Sequence, residues 1–130
     1  MYEMKDEFKT GIEIIDNEHK MLFEIADKIY NLSKNEFIID KYDRIVNLIE
    51  ELKGYAALHF RDEEAYMESI NYKKMFTQKV DHDNFIKKLN QIDLNDLDAN
   101  QEDYILELLD FINDWLVSHI LEKDKLIAQG

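Results

Sequence analysis

Four histidines occur in the chain, His19, His59, His82 and His119, and each falls in a run where apolar residues recur three and four apart, as on the buried face of a helix. Imidazole is a general acid or base near neutral pH and a common metal ligand. The stretch HFRDEEAYM places Glu63 four residues after His59, so the two side chains lie one above the other on one helical face. That face should be apolar, because it also carries Ile45, Ile49, Leu52, Ala56, Tyr66 and Ile70. Burying a polar group without a partner costs roughly 1–3 kcal/mol. Any one of these histidines alone reads as a core histidine satisfied by a hydrogen bond, and Glu63 alone as the member of a polar network or a lysine pair. Together they read as a convergent cage of nitrogen and oxygen donors, and bundle cores are where facing helices build metal sites.

The elements that must position this cage follow from four apolar stripes. The first is Ile15, His19, Leu22, Ala26, Ile29; the second is the one above. The third is Met75, Gln78, His82, Phe85, Leu89, Ile92, and the fourth is Ile105, Leu109, Ile112, Leu116, His119, Lys123, Leu126. They predict helices over about 16–34, 40–69, 72–91 and 100–127, with boundaries uncertain by about 2–4 residues. Asp16, Asp40 and Asn71 are candidate caps for the first three, and the Asn/Asp-rich DLNDLDAN separates the third from the fourth. Gly54 lies inside the second helix, where it permits a close helix approach. Lys73–Lys74 and Lys87–Lys88 read as solvated faces. Short connections favour antiparallel neighbours, hence an all-α, up-down-up-down antiparallel four-helix bundle. Phe8, Ile12 and Ile14 predict that the N-terminal arm packs on it. One domain spans residues 1–130.

The 130 residues contain no cysteine and no proline, and carry 29 acidic against 16 basic residues for a formal net charge of −13. The charge argues against nucleic acid and against an anionic membrane surface. The absence of cysteine removes disulfides, thiolate metal sites and thiol nucleophiles. MYEMKDEFKTG lacks the features of a secretory signal, and no apolar run has the roughly 18 residues that a span needs. A cytoplasmic protein is the expectation.

Asp124 follows His119 by five residues, about 140° round an ideal helix. Regular spacing makes it a solvated residue with Lys123 on the stripe. It reaches inward where the helix is locally overwound or unwound, or where its carboxylate bridges from the edge of the stripe.

IDNEHKMLFEIADKIYNL, HFRDEEAYM and WLVSHILEKDK occur in the order and at the separations that resemble the hemerythrin family, particularly its single-domain bacterial members. The resemblance covers nearly the whole chain. HFRDEEAYM is similar to the family's HxxxE motif and WLVSHILEKDK to its HxxxxD motif. Myohemerythrin is itself an up-and-down bundle, so stripes and resemblance are not independent grounds for the topology. The resemblance implies a non-haem centre of two iron ions with an oxo or hydroxo bridge that binds O2 reversibly. Its metal ligands would be His19, His59, Glu63, His82, His119 and Asp124, with Glu63 and Asp124 bridging. His19 and His59 would serve one iron, and the histidines of the third and fourth helices the other. O2 would bind the iron with fewer histidines.

One position departs from the family. Its third helix carries HxxxH, and this chain reads QKVDH, with Gln78 in place of the first histidine. Three outcomes are physically open: the amide oxygen ligates weakly, it holds a water, or that metal is bound weakly. Each iron would then have two histidines and an exchangeable site, which implies faster autoxidation. The family's bulky pocket residues, which keep water from bound O2, fall here on Leu116 and Ile120, with Phe60 and Trp115 adjacent; all four also read as ordinary core. An O2 carrier, store or scavenger is the leading function. The alternatives are a peroxidase-like enzyme that uses H2O2 at the exchangeable iron site, and a sensor of O2, NO or redox state. A sensor needs an output element, and the chain ends at Gly130, which ranks that reading third. Ferritin-like bundles repeat a Glu-x-x-His motif on two helices, and no glutamate here precedes a histidine by three.

Overall fold

The computed structural model describes residues 2–35, 42–91 and 101–128, without the side chains of 42 and 101–104. A short 3-10 turn, Asp6–Phe8, precedes four long helices: α1 (Glu13–Ser33), α2 (Tyr42–Ser69), α3 (Met75–Asn90) and α4 (Gln101–His119). A π-helical turn, Ile120–Asp124, continues α4 into a last turn, α5 (Lys125–Ile127). No strand occurs among the described residues. The four helices form an antiparallel bundle. The start of α1 meets the end of α2 through Glu18 and His59. It also meets the end of the α4 rod through His19 and Asp124, while α3 meets α2 through His82 and Glu64.

The stripes bury much as their spacing requires. Ile15, Leu22, Ala26 and Ile29 of α1, Ile45, Ile49, Leu52 and Ala56 of α2, Phe85 and Leu89 of α3, and Ile105, Leu109, Ile112 and Leu116 of α4 are all core residues. The arm packs through Phe8, which stacks on Phe23 with ring centroids 5.7 Å apart, and through Tyr2, whose hydroxyl donates to Asp110 at 3.2 Å; of the other two expected residues Ile12 is half-buried and Ile14, inside α1, lies 50% exposed. Beyond Glu63 the buried row of α2 moves by one: Met67 is buried, Tyr66 is half-buried and Ile70 lies 40% exposed. Tyr66 is thus at the edge of the core. Gly54 permits no close approach, since a Cβ built there meets nothing within 4 Å.

Two capping expectations change. Helix α1 starts at Glu13, behind Ile12, and Asp16 lies inside it. Its carboxylate instead accepts the Thr10 N–H and hydroxyl, both at 2.8 Å, and the Gly11 N–H at 3.0 Å. It pins the entering loop rather than capping the helix. Asn71 ends α2 rather than starting α3. It holds φ 53°, while the Tyr72 N–H reaches the Met67 carbonyl at 2.9 Å and the Asn71 N–H reaches Glu68 at 3.1 Å. This is a Schellman closure with Asn in the left-handed position, so α3 begins only at Met75, behind Lys74. The expected cap Asp40, the stripe residue Ile92 and the DLNDLDAN segment lie outside the described residues.

Candidate metal centre

Every expected ligand reaches one place in the interior. His19, His59, His82 and Asp124 are each 1% exposed, Glu63 0%, Gln78 2% and His119 7%. Five arrive by regular helical spacing. Asp124 arrives because the π turn adds one residue to the helical circuit, which moves Asp124 and Ile127 into the core and leaves Lys123 half-exposed and Leu126 at the surface. The spacing-based placement of Asp124 on the solvated side is therefore wrong, and local unwinding is the reason.

The two carboxylates divide their oxygens between opposite histidine pairs. Glu63 Oε2 lies 3.3 Å from His59 Nε2 and 3.8 Å from His19 Nε2, while Oε1 lies 3.1 Å from His82 Nε2. Asp124 Oδ2 lies 3.1 Å from His19 Nε2, while Oδ1 lies 3.2 Å from His119 Nε2. Two groups of four donors result, His19–His59–Glu63–Asp124 and Glu63–His82–His119–Asp124, each with its donor atoms within 4.8 Å of one another. Both groups contain the same two carboxylates. Two donors held about 2.1 Å from one ion at right angles lie about 3 Å apart, close to most of these separations.

The outer edges of the His59 and His82 rings are matched separately, whereas His19 Nδ1 is buried without a hydrogen-bond partner. His59 Nδ1 lies 3.0 Å from Glu18 Oε1 and His82 Nδ1 2.9 Å from Glu64 Oε2. His119 Nδ1 is 4.0 Å from Asp81 Oδ2, which Lys123 Nζ approaches to 2.7 Å. A carboxylate at Nδ1 keeps the proton there and turns the Nε2 lone pair inward, as partners of metal-bound histidines do. Lone pairs of Nε2 then face lone pairs of carboxylate oxygens. Among the described residues, the Nε2 atoms of His19, His82 and His119 and both Glu63 oxygens are buried without a hydrogen-bond partner. Such a set needs cations between its members, either protons or metal ions. With nitrogen and oxygen donors and no sulfur, it suits iron, manganese or zinc. The donor set therefore fits a pair of metal ions.

Electrostatics without metal point the same way. Burial alone would pull the His59 imidazole down, but the Glu18 and Glu63 carboxylates outweigh it and push the pKa up to about 9. Burial also opposes charge on His82, and Glu63 and Glu64 again raise it. Burial would raise Asp124, yet His119 and His19 hold it well below the usual carboxylate range. Burial raises Glu18 itself, more than His59 lowers it.

Gln78 adjoins this cluster, and its Nε2 donates to Asp124 Oδ1 at 3.3 Å. Its Oε1 is buried without a partner. Aromatic rings wall the His82–His119 half. Phe60 stacks on His82 with centroids 4.0 Å apart and planes 7° apart. Trp115 stacks on His119 at 4.4 Å and 12°. Leu116 and Ile120 are fully buried and Trp115 half-buried.

Glu18 and Glu64 were not singled out from the sequence. Their only signal is adjacency, Glu18 to His19 and Glu64 to Glu63, and with 29 acidic residues adjacency alone selects nothing.

The hemerythrin HHE cation binding domain matches residues 10–129. The chain belongs to the hemerythrin family. It is 55% identical over 125 residues to a bacteriohemerythrin of Clostridium acetobutylicum, covering 96% of this chain and 97% of that one. A bacteriohemerythrin of Pseudomonas aeruginosa is 31% identical over 120 residues, 92% of this chain and 74% of the other. A myohemerythrin of Theromyzon tessulatum is 28% identical over 123 residues, 95% and 88% of the two chains. A crystal structure of a leucine-to-phenylalanine mutant superposes with a TM-score of 0.77 at 23% identity, covering 99% of this chain and 97% of that one; at that identity it speaks for the fold. Hemerythrins are non-haem iron proteins that bind O2, and the buried donor groups lie in the part of the chain that matches the family. Among the described residues no hemerythrin helix here is long and apolar enough to cross a membrane.

Proposed function

We propose that the chain is a di-iron protein that takes up O2 in the core of its bundle, as a carrier, store or scavenger. The observation that carries this reading is the sharing of Glu63 and Asp124 between the two donor groups. His19 and His59 would hold one iron and His82 and His119 the other, with both carboxylates and an oxo or hydroxo group common to the pair. Two ferrous ions held in this way supply the electrons on which reversible O2 uptake draws.

The chain's own residues do the rest. Glu18 and Glu64 hold the Nδ1 protons of His59 and His82, so that Nε2 faces inward as a donor. Leu116, Ile120 and Phe60 exclude water, since all three are buried. Trp115 covers the outer ring face of His119. In the test, the iron-loaded protein is reduced anaerobically and O2 is admitted and then removed. A visible charge-transfer band that rises and falls with O2 supports the reading, and no band at all contradicts it.

Gln78 favours a second reading. It supplies an amide where the family's third helix supplies an imidazole, and it is engaged with Asp124. His82 and His119 would then hold a metal with an exchangeable position, which would suit a peroxidase-like reduction of H2O2 by an external electron donor. Steady H2O2 consumption by the iron-loaded protein with an added electron donor separates this reading from simple carriage.

A further inference from the structure

Helix α3 turns one side to the metal donors and the other to solvent. Gln78, His82, Phe85 and Leu89 are buried, while Phe76, Val80, Asn84 and Lys87, also three and four residues apart, are exposed. Phe76 is 79% exposed, the most of the large apolar side chains described, and Val80 is 41% exposed. The charge of this segment is opposite to that of the molecule. Over residues 72–91 five lysines stand against two aspartates, in a chain of net charge −13. Asp81 is taken by Lys123 at 2.7 Å, and Lys88 lies over the Phe111 ring at 5.5 Å. Lys73, Lys79 and Lys87 are exposed and form no ion pair among the described residues. The result is a small apolar centre with a cationic rim.

We propose that the outer face of α3 docks a small acidic protein that carries one electron at a time and passes it inward to the metal pair. The inference rests on the di-iron reading above, in which oxidation by O2 or H2O2 leaves ferric ions that an outside donor must reduce. Anatomy, charge and position favour this partner. An apolar centre with a polar rim is the build of a protein interface, and one helix face suits the small interfaces of electron-transfer encounters. Two acidic proteins repel in most orientations, so the cationic rim selects the one that sets the carrier against α3. A helix is about 10–12 Å across with its side chains, and His82 holds the inner side of this one, with Nε2 3.1 Å from Glu63 Oε1. Each encounter oxidises the carrier by one electron and turns one ferric ion ferrous; a second encounter completes the pair. A second copy related by a two-fold axis would set lysine against lysine, and a nucleic acid would meet the whole field of the acidic chain.

The binding test uses the full chain, ¹⁵N-labelled and loaded with zinc, so that it depends on neither iron nor O2. The probes are oxidised flavodoxin, an acidic one-electron carrier, and a short single-stranded RNA; sedimentation of the chain alone reports self-association. Flavodoxin is expected to give saturable amide shifts over 73–87, with binding that weakens about tenfold or more as salt rises from about 20 to about 200 mM. Phe76→Ser, and Lys79→Glu together with Lys87→Glu, all at exposed positions, should each weaken binding about tenfold while leaving the rest of the spectrum unchanged. In the iron-loaded protein the charge reversals should slow reduction by reduced flavodoxin as much, and leave reduction by dithionite within about twofold. Shifts that do not saturate or that fall elsewhere, binding unmoved by salt or by these variants, equal binding of the RNA, or self-association through this face would each overturn the proposal. Metal content scores the di-iron reading separately: a chain that binds flavodoxin on α3 but holds no iron pair contradicts that reading and not the docking face.

Discussion

Gln78 bonds one of the two carboxylates that both donor groups share, and its 3.3 Å contact to Asp124 is one that an imidazole at the same place would replace with a further nitrogen donor for a metal. Restoring the ring tests what the amide does. Gln78→His should slow the oxidation of the reduced, iron-loaded protein in air about tenfold or more, measured from the visible bands after mixing with O2. An unchanged rate would remove Gln78 from the account of reactivity. Glu18 acts through His59, whose Nδ1 it approaches to 3.0 Å. Glu18→Gln keeps the shape and an acceptor oxygen but loses the charge, and should weaken metal affinity by about 10–100-fold, read by competition with a chelator, without unfolding the chain. The histidines and Glu63 were legible in the sequence because a polar residue on an apolar stripe stands out. Glu18 and Glu64 were not, since a carboxylate at the flank of a stripe looks like any other solvated acid.

At the scale of elements, the four rods and their inward faces follow from apolar spacing, and most stripe residues are buried where that spacing puts them. What the spacing could not show is where a helix departs from regularity. The π turn at Ile120–Asp124 shifts everything after His119 by one residue, so Asp124 and Ile127 are buried and Leu126 is not. The family motif pointed to Asp124, which is buried, while the ideal periodicity pointed to Lys123, which is not. This register is testable by stability alone. Ile127→Ala should cost about 2–4 kcal/mol, as for a buried aliphatic side chain, and Leu126→Ala well under half of that in the same denaturant titration. The reverse order would mean a regular helix and an outward Asp124. The caps misled for a related reason: Asp16 and Asn71 are chemically suited to start a helix. Their hydrogen bonds instead close the loop before α1 and the end of α2.

For the whole molecule, the cluster ties protonation, metal and folding together. Without metal, the His59 pKa is raised from 6.5 to about 9 by its carboxylate neighbours. A raised folded-state value means that protonation of His59 stabilises the metal-free fold fully below its unfolded pKa, near 6.5, and that this contribution is lost as pH rises through about 9. The metal-free protein should therefore lose stability between those limits, seen as a falling denaturation midpoint. Metal competes with the same proton, so metal uptake at pH 7 should release protons to a weakly buffered solution, and affinity should climb over that window. A metal-free protein whose stability is flat from pH 6.5 to 9 would contradict the raised His59.

The most direct test of the account is the number of irons that one chain holds when loaded anaerobically and freed of loosely bound metal. Glu63 and Asp124 stand in both donor groups, so the account predicts two irons per chain, magnetically coupled through their shared ligands. One iron per chain, or two that behave as isolated ions, would contradict it.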